Sequence, residues 1–230
     1  MTQPQNQLIA RLPRKERLQL LARSESVQLV LGQVLCEAGA AVHHAYFPVD
    51  GFISLLTRIK AHPSLEVNMV GREGMFGAGL ALGVGSSPLQ AIVQGAGSAW
   101  RIDSAALRAE IEINAPLRRT LLSYVYVNLD QMGTASACLR FHLIGPRLAR
   151  WLLMSADRAH ANQFHITHEF LASMLGVRRV GVTVAASALQ RLGLISYHRG
   201  EVTVVDRAGL EQAACGCYAM QLAAYRTQLP

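Results

Sequence analysis

The stretch Thr167–Arg191, THEFLASMLGVRRVGVTVAASALQR, decides how the chain is read. Thr167 has a side-chain oxygen suited to capping a helix, and Glu169 suits the first turn, where a carboxylate meets the positive end of the helix. Phe170, Leu171, Met174 and Leu175 give that helix an apolar face, and Ala172 is small where a second helix must cross closely. Gly176, four residues on, permits the left-handed conformation that ends a helix. Val182, six residues further, starts a second apolar stripe with Ala185, Ala186 and Leu189. This Ala–Gly–Val spacing predicts a helix-turn-helix, with a generic helical hairpin as the alternative.

The second helix is predicted to begin at Arg178-Arg179, where a recognition helix meets base edges and arginine can bond guanine O6 and N7. Val180, Thr183, Val184, Ser187 and Arg191 fall on the side turned away from Val182 and Leu189, and the two valines would suit thymine methyls. Thr167 and His168, at the start of the first helix, join the candidate DNA contacts. Two strands are expected beyond, Leu194–Tyr197 and Glu201–Val205. The loop between them, His198-Arg199-Gly200, reads as a wing whose His198 and Arg199 touch the phosphate backbone. A final helix is expected over about Ala208 to Arg226.

Upstream, Asn114-Ala115-Pro116 marks a helix start, with Asn114 as cap and Pro116 in the first turn. Leu121, Val125, Asn128, Met132, Ala135 and Leu139 then recur at spacings of three and four, the seam of a helix that packs on another helix. We expect that seam to form a dimer, with Asn128 fixing its register; packing within its own domain is the alternative. A second helix follows over about His142 to Arg158. Earlier still, Val27 to Ile102 holds short apolar stretches (Val27–Leu31, Ala45–Phe47, Phe52–Thr57, Val67–Val70, Ala91–Val93) broken by Gly, Pro, Asp and Asn, which suggests a small antiparallel sandwich or barrel. Leu8 to Ala22 has the apolar spacing of one amphipathic helix.

The chain has 230 residues, half of them apolar, and 22 basic against 15 acidic side chains. Only Lys15 and Lys60 are lysines. Between Arg140 and Arg207 lie nine arginines and four acids, the expected footprint of a nucleic-acid module. The N-terminus is polar and charged, and no stretch of about 18 apolar residues lacks charge. A cytoplasmic protein without a membrane partner is expected. The four cysteines, Cys36, Cys138, Cys215 and Cys217, form no paired CxxC units. They read as unligated thiols with no metal, redox or metal sensing being the alternative. An enzyme is not expected. GxSxG, HExxH and the P-loop are missing, and Gly77-Ala-Gly79 and Gly95-Ala-Gly97 fail the dinucleotide pattern. Asp103 and Glu110 are expected to be solvated rather than an acid/base pair.

In its order of parts, a strand-rich domain, a long helix and then a winged helix-turn-helix, the chain resembles the Crp/Fnr family of bacterial transcription regulators. Thr167 to Ile195 carries the likeness best. Ala45–Ser54 (AYFPVDGFIS) and Val70–Gly77 (VGREGMFG) are similar to the effector domain of one branch. The resemblance implies an α+β chain: a cyclic-nucleotide-binding-like β-barrel or jelly roll over 1–112, a dimerisation helix over 113–140, and a winged helix-turn-helix over 141–230. It implies a homodimer on a palindromic double-stranded DNA operator, with RNA polymerase as a further partner.

Two departures limit it. Cyclic-nucleotide-binding members carry an acid near the start of a phosphate cassette and an arginine near its end. Here the stretch Gly77–Ala91 has Ala78 for the acid and no arginine near Ser87-Pro88. Gly77, Ala78, Gly79, Ser87, Pro88, Gln131 and Met132 are the candidate effector pocket, and an uncompensated phosphate there is costly. No cofactor is assigned: cAMP is not expected, nor an iron–sulfur cluster with only Cys36 in the first half, nor haem on His43 or His44. In the recognition helix, Val180 and Val184 replace residues that contact bases in many members, so the operator is not carried over. The other reading is a small-molecule or redox sensor with a degenerate cyclic-nucleotide-binding domain.

Overall fold

The computed structural model describes residues 6–229. The first apolar stretch is two helices rather than one, α1 (Gln7–Arg11) and α2 (Arg14–Ala22). Pro13 is the cause. Its ring disfavours a helical conformation in the preceding residue, and Leu12 is extended, at ψ 143°.

Seven strands follow: β1 (Glu25–Leu29), β2 (Val34–Cys36), β3 (His44–Pro48), β4 (Phe52–Thr57), β5 (Leu65–Val70), β6 (Gln90–Gly95) and β7 (Gly97–Asp103). They form two antiparallel sheets, β1-β7-β3 and β2-β6-β4-β5. The expected barrel is present, with Phe47, Ile53, Val93 and Ile102 in its core. An unexpected helix, α3 (Ser104–Ile113), closes it. Asp103 caps α3, accepting from the backbone N–H of Ala105 and Ala106, and these bonds hold its carboxyl below the usual carboxylate range. Glu110 is buried against Arg23 at 2.8 Å rather than solvated.

The long helix is α4 (Ala115–Phe141). Asn114 Oδ1 accepts from the Leu117 N–H at 2.9 Å, the cap the sequence predicts. Leu117, Leu121, Tyr124 and Val127 seat α4 in the barrel core. The approach is close at Gly74, where a Cβ would collide with the Tyr124 hydroxyl.

The rest is α5 (Ile144–Ala159), β8 (Gln163–His165), α6 (His168–Leu175), α7 (Arg179–Arg191), β9 (Ile195–His198), β10 (Glu201–Val204), α8 (Arg207–Ala213) and α9 (Cys217–Gln228). Trp151, Leu152, Leu171, Val182, Leu189, Ile195 and Leu210 build a second core. The sheet here is β8-β10-β9, with β8 a strand that the sequence reading did not place. The expected last helix is also two. The chain leaves α8 at Ala214, which is extended, and turns so that α9 lies along α4. Ala224, Tyr225 and Leu229 join the barrel core, so the last segment of the expected 141–230 unit packs with the first domain.

Two polar junctions bind the cores together. Glu73 of the Val70–Gly77 motif pairs with Arg158 of α5 at 2.8 Å, both side chains nearly buried. Glu66 of β5 accepts from Trp151 Nε1 at 2.8 Å and from the Ser54 hydroxyl. Burial pushes the Glu66 carboxyl above its ordinary range, against the pull of those two bonds. Removing one member of a buried pair strands the other charge. Glu73→Ala is therefore expected to cost roughly 3–5 kcal/mol in urea unfolding. The double variant Glu73→Leu/Arg158→Met should recover most of that loss, and a double as unstable as the single would refute the ion-pair account.

Candidate nucleic-acid interface

Local chemistry builds the helix-turn-helix. Thr167 Oγ1 accepts from the Phe170 N–H at 3.2 Å and caps α6. Gly176 ends it with φ +61°, and its N–H and that of Val177 close back on the last turn. A side chain there would also meet Leu65 of the barrel at 2.8 Å. The two helices are bent by 107°, within the range of the motif. Ala172, Val182, Ala185, Ala186 and Leu189 are buried between them and α5, as the spacing predicts. Among the described residues no single helix is long and apolar enough to cross a membrane.

The opposite side of α7 is open. Arg178 caps its N-terminus and Arg179 starts it, both exposed. Val180 and Val184 stand 66% and 63% exposed beside Thr183, Ser187 and Arg191. The wing turn presents His198 and Arg199 at the surface, with Arg199 and Gly200 both at positive φ as a tight hairpin requires. The wing is pinned to the helices. Tyr197 N–H donates to Gln190 Oε1 at 2.7 Å, and Tyr197 OH donates to the Ile166 carbonyl at 2.6 Å.

His168 is tied into the same brace. Its ring stacks on Tyr197 with centroids 4.4 Å apart, and Nδ1 lies 3.0 Å from the Thr183 hydroxyl. Burial, and then the nearby Arg179 charge, lower its pKa below the ordinary histidine value. Both effects favour the uncharged ring, which suits positioning better than holding a phosphate.

The charge surplus divides between two tasks. Arg158 is held by Glu73, Arg207 by Asp157 and Glu211, and Arg150 by the Gln221 side chain, while Arg147 donates to the Leu175 carbonyl. These four serve the fold. Arg178, Arg179, Arg191 and Arg199 stand on the helix-turn-helix surface.

Helix α4 buries part of the predicted seam in its own domain. Leu121 is 1% exposed inside its own barrel core. Asn128 Oδ1 accepts from Asn68 Nδ2 at 2.8 Å within the same chain. Val125 and Met132 line a cavity; Ala135 and Leu139 border a shallower one. The outward apolar stripe lies one position on, at Leu122, Tyr126 and Leu129, and ends at Gly133. Both sides of the helix are apolar, so the period alone did not fix its phase.

The cavity, of about 330 Å³, lies between α4 and the Gly77–Leu89 segment. Gly77, Ala78, Gly79, Ser87, Pro88 and Met132 line it as predicted. Gln131 does not: it is 1% exposed on the other side of α4, where its Nε2 donates to the Gln221 carbonyl at 3.2 Å. One residue is about 100° of helix, enough to carry it from the cavity to α9. No Arg, Lys or His is among the described residues that line the cavity.

The fold brings three of the cysteines together. Cys36 stands alone in the barrel, but Cys138, Cys215 and Cys217 meet in one buried cluster beside His142. The sequence gives no local sign of this, since the pairs are more than seventy residues apart.

Residues 146–213 match the family of Crp-like helix-turn-helix domains. No curated protein matches the chain. Among solved structures, a transcriptional regulator of the Crp/Fnr family from Eubacterium rectale is 16% identical with a TM-score of 0.69, over 90% of this chain and 96% of that one. FixK2 from Bradyrhizobium japonicum is 16% identical with a TM-score of 0.68, over 84% and 98%. TTHA1359, a Crp/Fnr-family regulator from Thermus thermophilus, is 21% identical with a TM-score of 0.65, over 83% and 98%. The chain carries a Crp-like helix-turn-helix domain within the overall fold of the Crp/Fnr transcriptional regulators.

Proposed function

We propose that the protein is a sequence-specific transcription regulator that acts as a homodimer on a palindromic operator. It is read as a cytoplasmic, non-enzymatic DNA-binding protein, with RNA polymerase as a further partner. The observation that carries this reading is the exposed face of α7, where two arginines at the N-terminus continue into two unpartnered valines. Arginine suits guanine O6 and N7, and the valines suit thymine methyls. Thr167, Thr183, Ser187, Arg191, His198 and Arg199 are then contacts that flank or anchor, and His168 braces Thr183.

Dimerisation is assigned to Leu122, Tyr126 and Leu129, in place of the seam through Leu121 and Asn128. Two such helices side by side would set the spacing of the recognition helices, which must be about 34 Å apart to enter successive major grooves. Leu129 also borders the cavity, so a second copy would close over its mouth. The cavity favours a sensor role within this reading. Its apolar lining suits a small uncharged effector and disfavours cAMP, whose phosphate would lack a cation. Such an effector acts only through different affinities for two arrangements of the dimer.

Selection of bound sites from random DNA would yield the half-site and its spacing. Arg179→Ala is expected to abolish protection of that site in footprinting while sedimentation still shows a dimer. Undiminished sequence-specific protection would remove Arg179 from the interface. Leu129→Asp is expected to give a monomer by sedimentation and to lose the operator with it. Leu121→Ala should instead lower folding stability by about 2–5 kcal/mol, as a large-to-small change in a core does. If Leu121→Ala dissociated the dimer at unchanged stability, the assignment of faces would be reversed.

A further inference from the structure

The last turn of α4 presents Cys138 and His142 on one side of the helix, four residues apart. The link between α8 and α9 brings Cys215 and Cys217 against them. Cys138 Sγ lies 3.5 Å from Cys215 Sγ, and Cys217 Sγ lies 3.6 Å from His142 Nδ1. All four candidate ligand atoms fall within 4.8 Å of one another. Tetrahedral zinc has bonds of about 2.3 Å to sulfur and about 2.0–2.1 Å to nitrogen, which sets ligand edges of about 3.8 Å for S···S and about 3.6 Å for S···N. The Cys217–His142 edge matches that value, the Cys138–Cys215 edge is slightly shorter, and all the others fall within 4.8 Å.

We propose that Cys138, His142, Cys215 and Cys217 form a closed tetrahedral site for a borderline-soft divalent transition ion, zinc first. Three thiolates and one imidazole are a ligand set suited to structural zinc, and oxygen-seeking ions would find no carboxylate in it. Three thiolates around a divalent ion leave one net negative charge. Arg147 and Arg150 both interact electrostatically with the cluster sulfurs and offset it. The three cysteines are buried and His142 is exposed, so the site has a dry sulfur floor and one face toward water.

Its position gives it a consequence. His142 is the C-cap of α4 and Leu143 the N-cap of α5, so the chain turns at this point from the long helix into the DNA-binding unit. Cys215 N–H also donates to the Pro146 carbonyl, at 3.3 Å. A bound ion would staple the end of α4, through the α8–α9 link, to the unit that carries α7. The ion would then fix the angle on which operator spacing depends. That consequence rests on the proposed DNA-binding function, whereas the metal site does not.

The test uses the full chain, purified reduced and stripped of metal, titrated with Co(II) and then Zn(II). One Co(II) per chain is expected, with the visible bands of tetrahedral cobalt, thiolate charge transfer in the near ultraviolet, and displacement by Zn(II). Cys138→Ser should weaken the charge-transfer band, since only two thiolates would remain, and loosen metal binding. His142→Ala, at an exposed position, should keep the fold by circular dichroism and weaken Zn(II) binding at least about tenfold, the scale on which metal sites respond to lost support. Cys36→Ser should change nothing. Absence of stoichiometric Co(II) binding, an octahedral spectrum, or an unchanged spectrum in both Cys138→Ser and His142→Ala would overturn the site. Recovery of the native chain metal-free with a Cys138–Cys215 disulfide would do so as well. Operator binding is measured separately with and without chelator. Metal bound with no operator selected would refute the DNA-binding reading and leave the site standing.

Discussion

The buried ion pair between Glu73 and Arg158 constrains how the two cores meet, beside the packing of Phe52, Leu56 and Met69 of the barrel into the second core. Glu73 sits in the Gly-Arg-Glu-Gly turn after β5, and Arg158 in the last turn of α5. Taking both charges out of water is expensive, and the cost is met only if they meet in one geometry. The pair therefore specifies a position more than it adds stability. The same turn lets Tyr124 of α4 approach through Gly74, so one short motif fixes the barrel against both the long helix and the DNA-binding unit. Glu66 repeats the device on the next face, holding Trp151 of α5 by its indole N–H.

What the sequence made legible was local. The helix-turn-helix could be read because a small residue, a left-handed glycine and a buried valine are steric demands at fixed offsets, met by Ala172, Gly176 and Val182. The caps at Asn114 and Thr167 belong to the same class, since a side-chain oxygen and a backbone N–H three residues on need no distant partner. The barrel was legible as a class, but β2 and the three-residue β8 were not, because strands so short draw their pairing from neighbours far along the chain.

What was hidden was phase and distance. Helix α4 has apolar residues on the side of Leu121 and on the side of Leu129, and a periodic pattern reports its spacing without saying which stripe is covered. Gln131 was placed in the pocket by the family resemblance, and one residue of rotation separates it from Met132, which does line it. The arginine surplus misled in a different way. Side chains such as Arg147 and Arg158 count toward net charge yet serve as buried donors, so composition overstates the DNA-facing charge. The cysteine cluster needed the fold itself, because the break after α8 brings residues 215 and 217 back to the end of α4.

These corrections converge on α4. One face carries Tyr124 and Val127 in the barrel core. A second lines the cavity with Val125, Asn128 and Met132. A third leaves Leu122, Tyr126 and Leu129 open, and its last turn holds Cys138 and His142. A rigid helix cannot shift at one of these places alone, because packed interiors transmit displacement rather than absorb it. A molecule filling the cavity would press on the same residues that border the open stripe, and the tilt it imposed would arrive at Leu143, where α5 begins. The DNA-binding unit does not hang free there. The Ser173 hydroxyl donates to the Ser64 carbonyl and Gly176 lies under Leu65, so the barrel also braces the turn of the helix-turn-helix directly. Any reorientation of α7 must break or slide these contacts together. On the proposed reading, a response to an effector would therefore be a choice between two packed arrangements, not a graded drift.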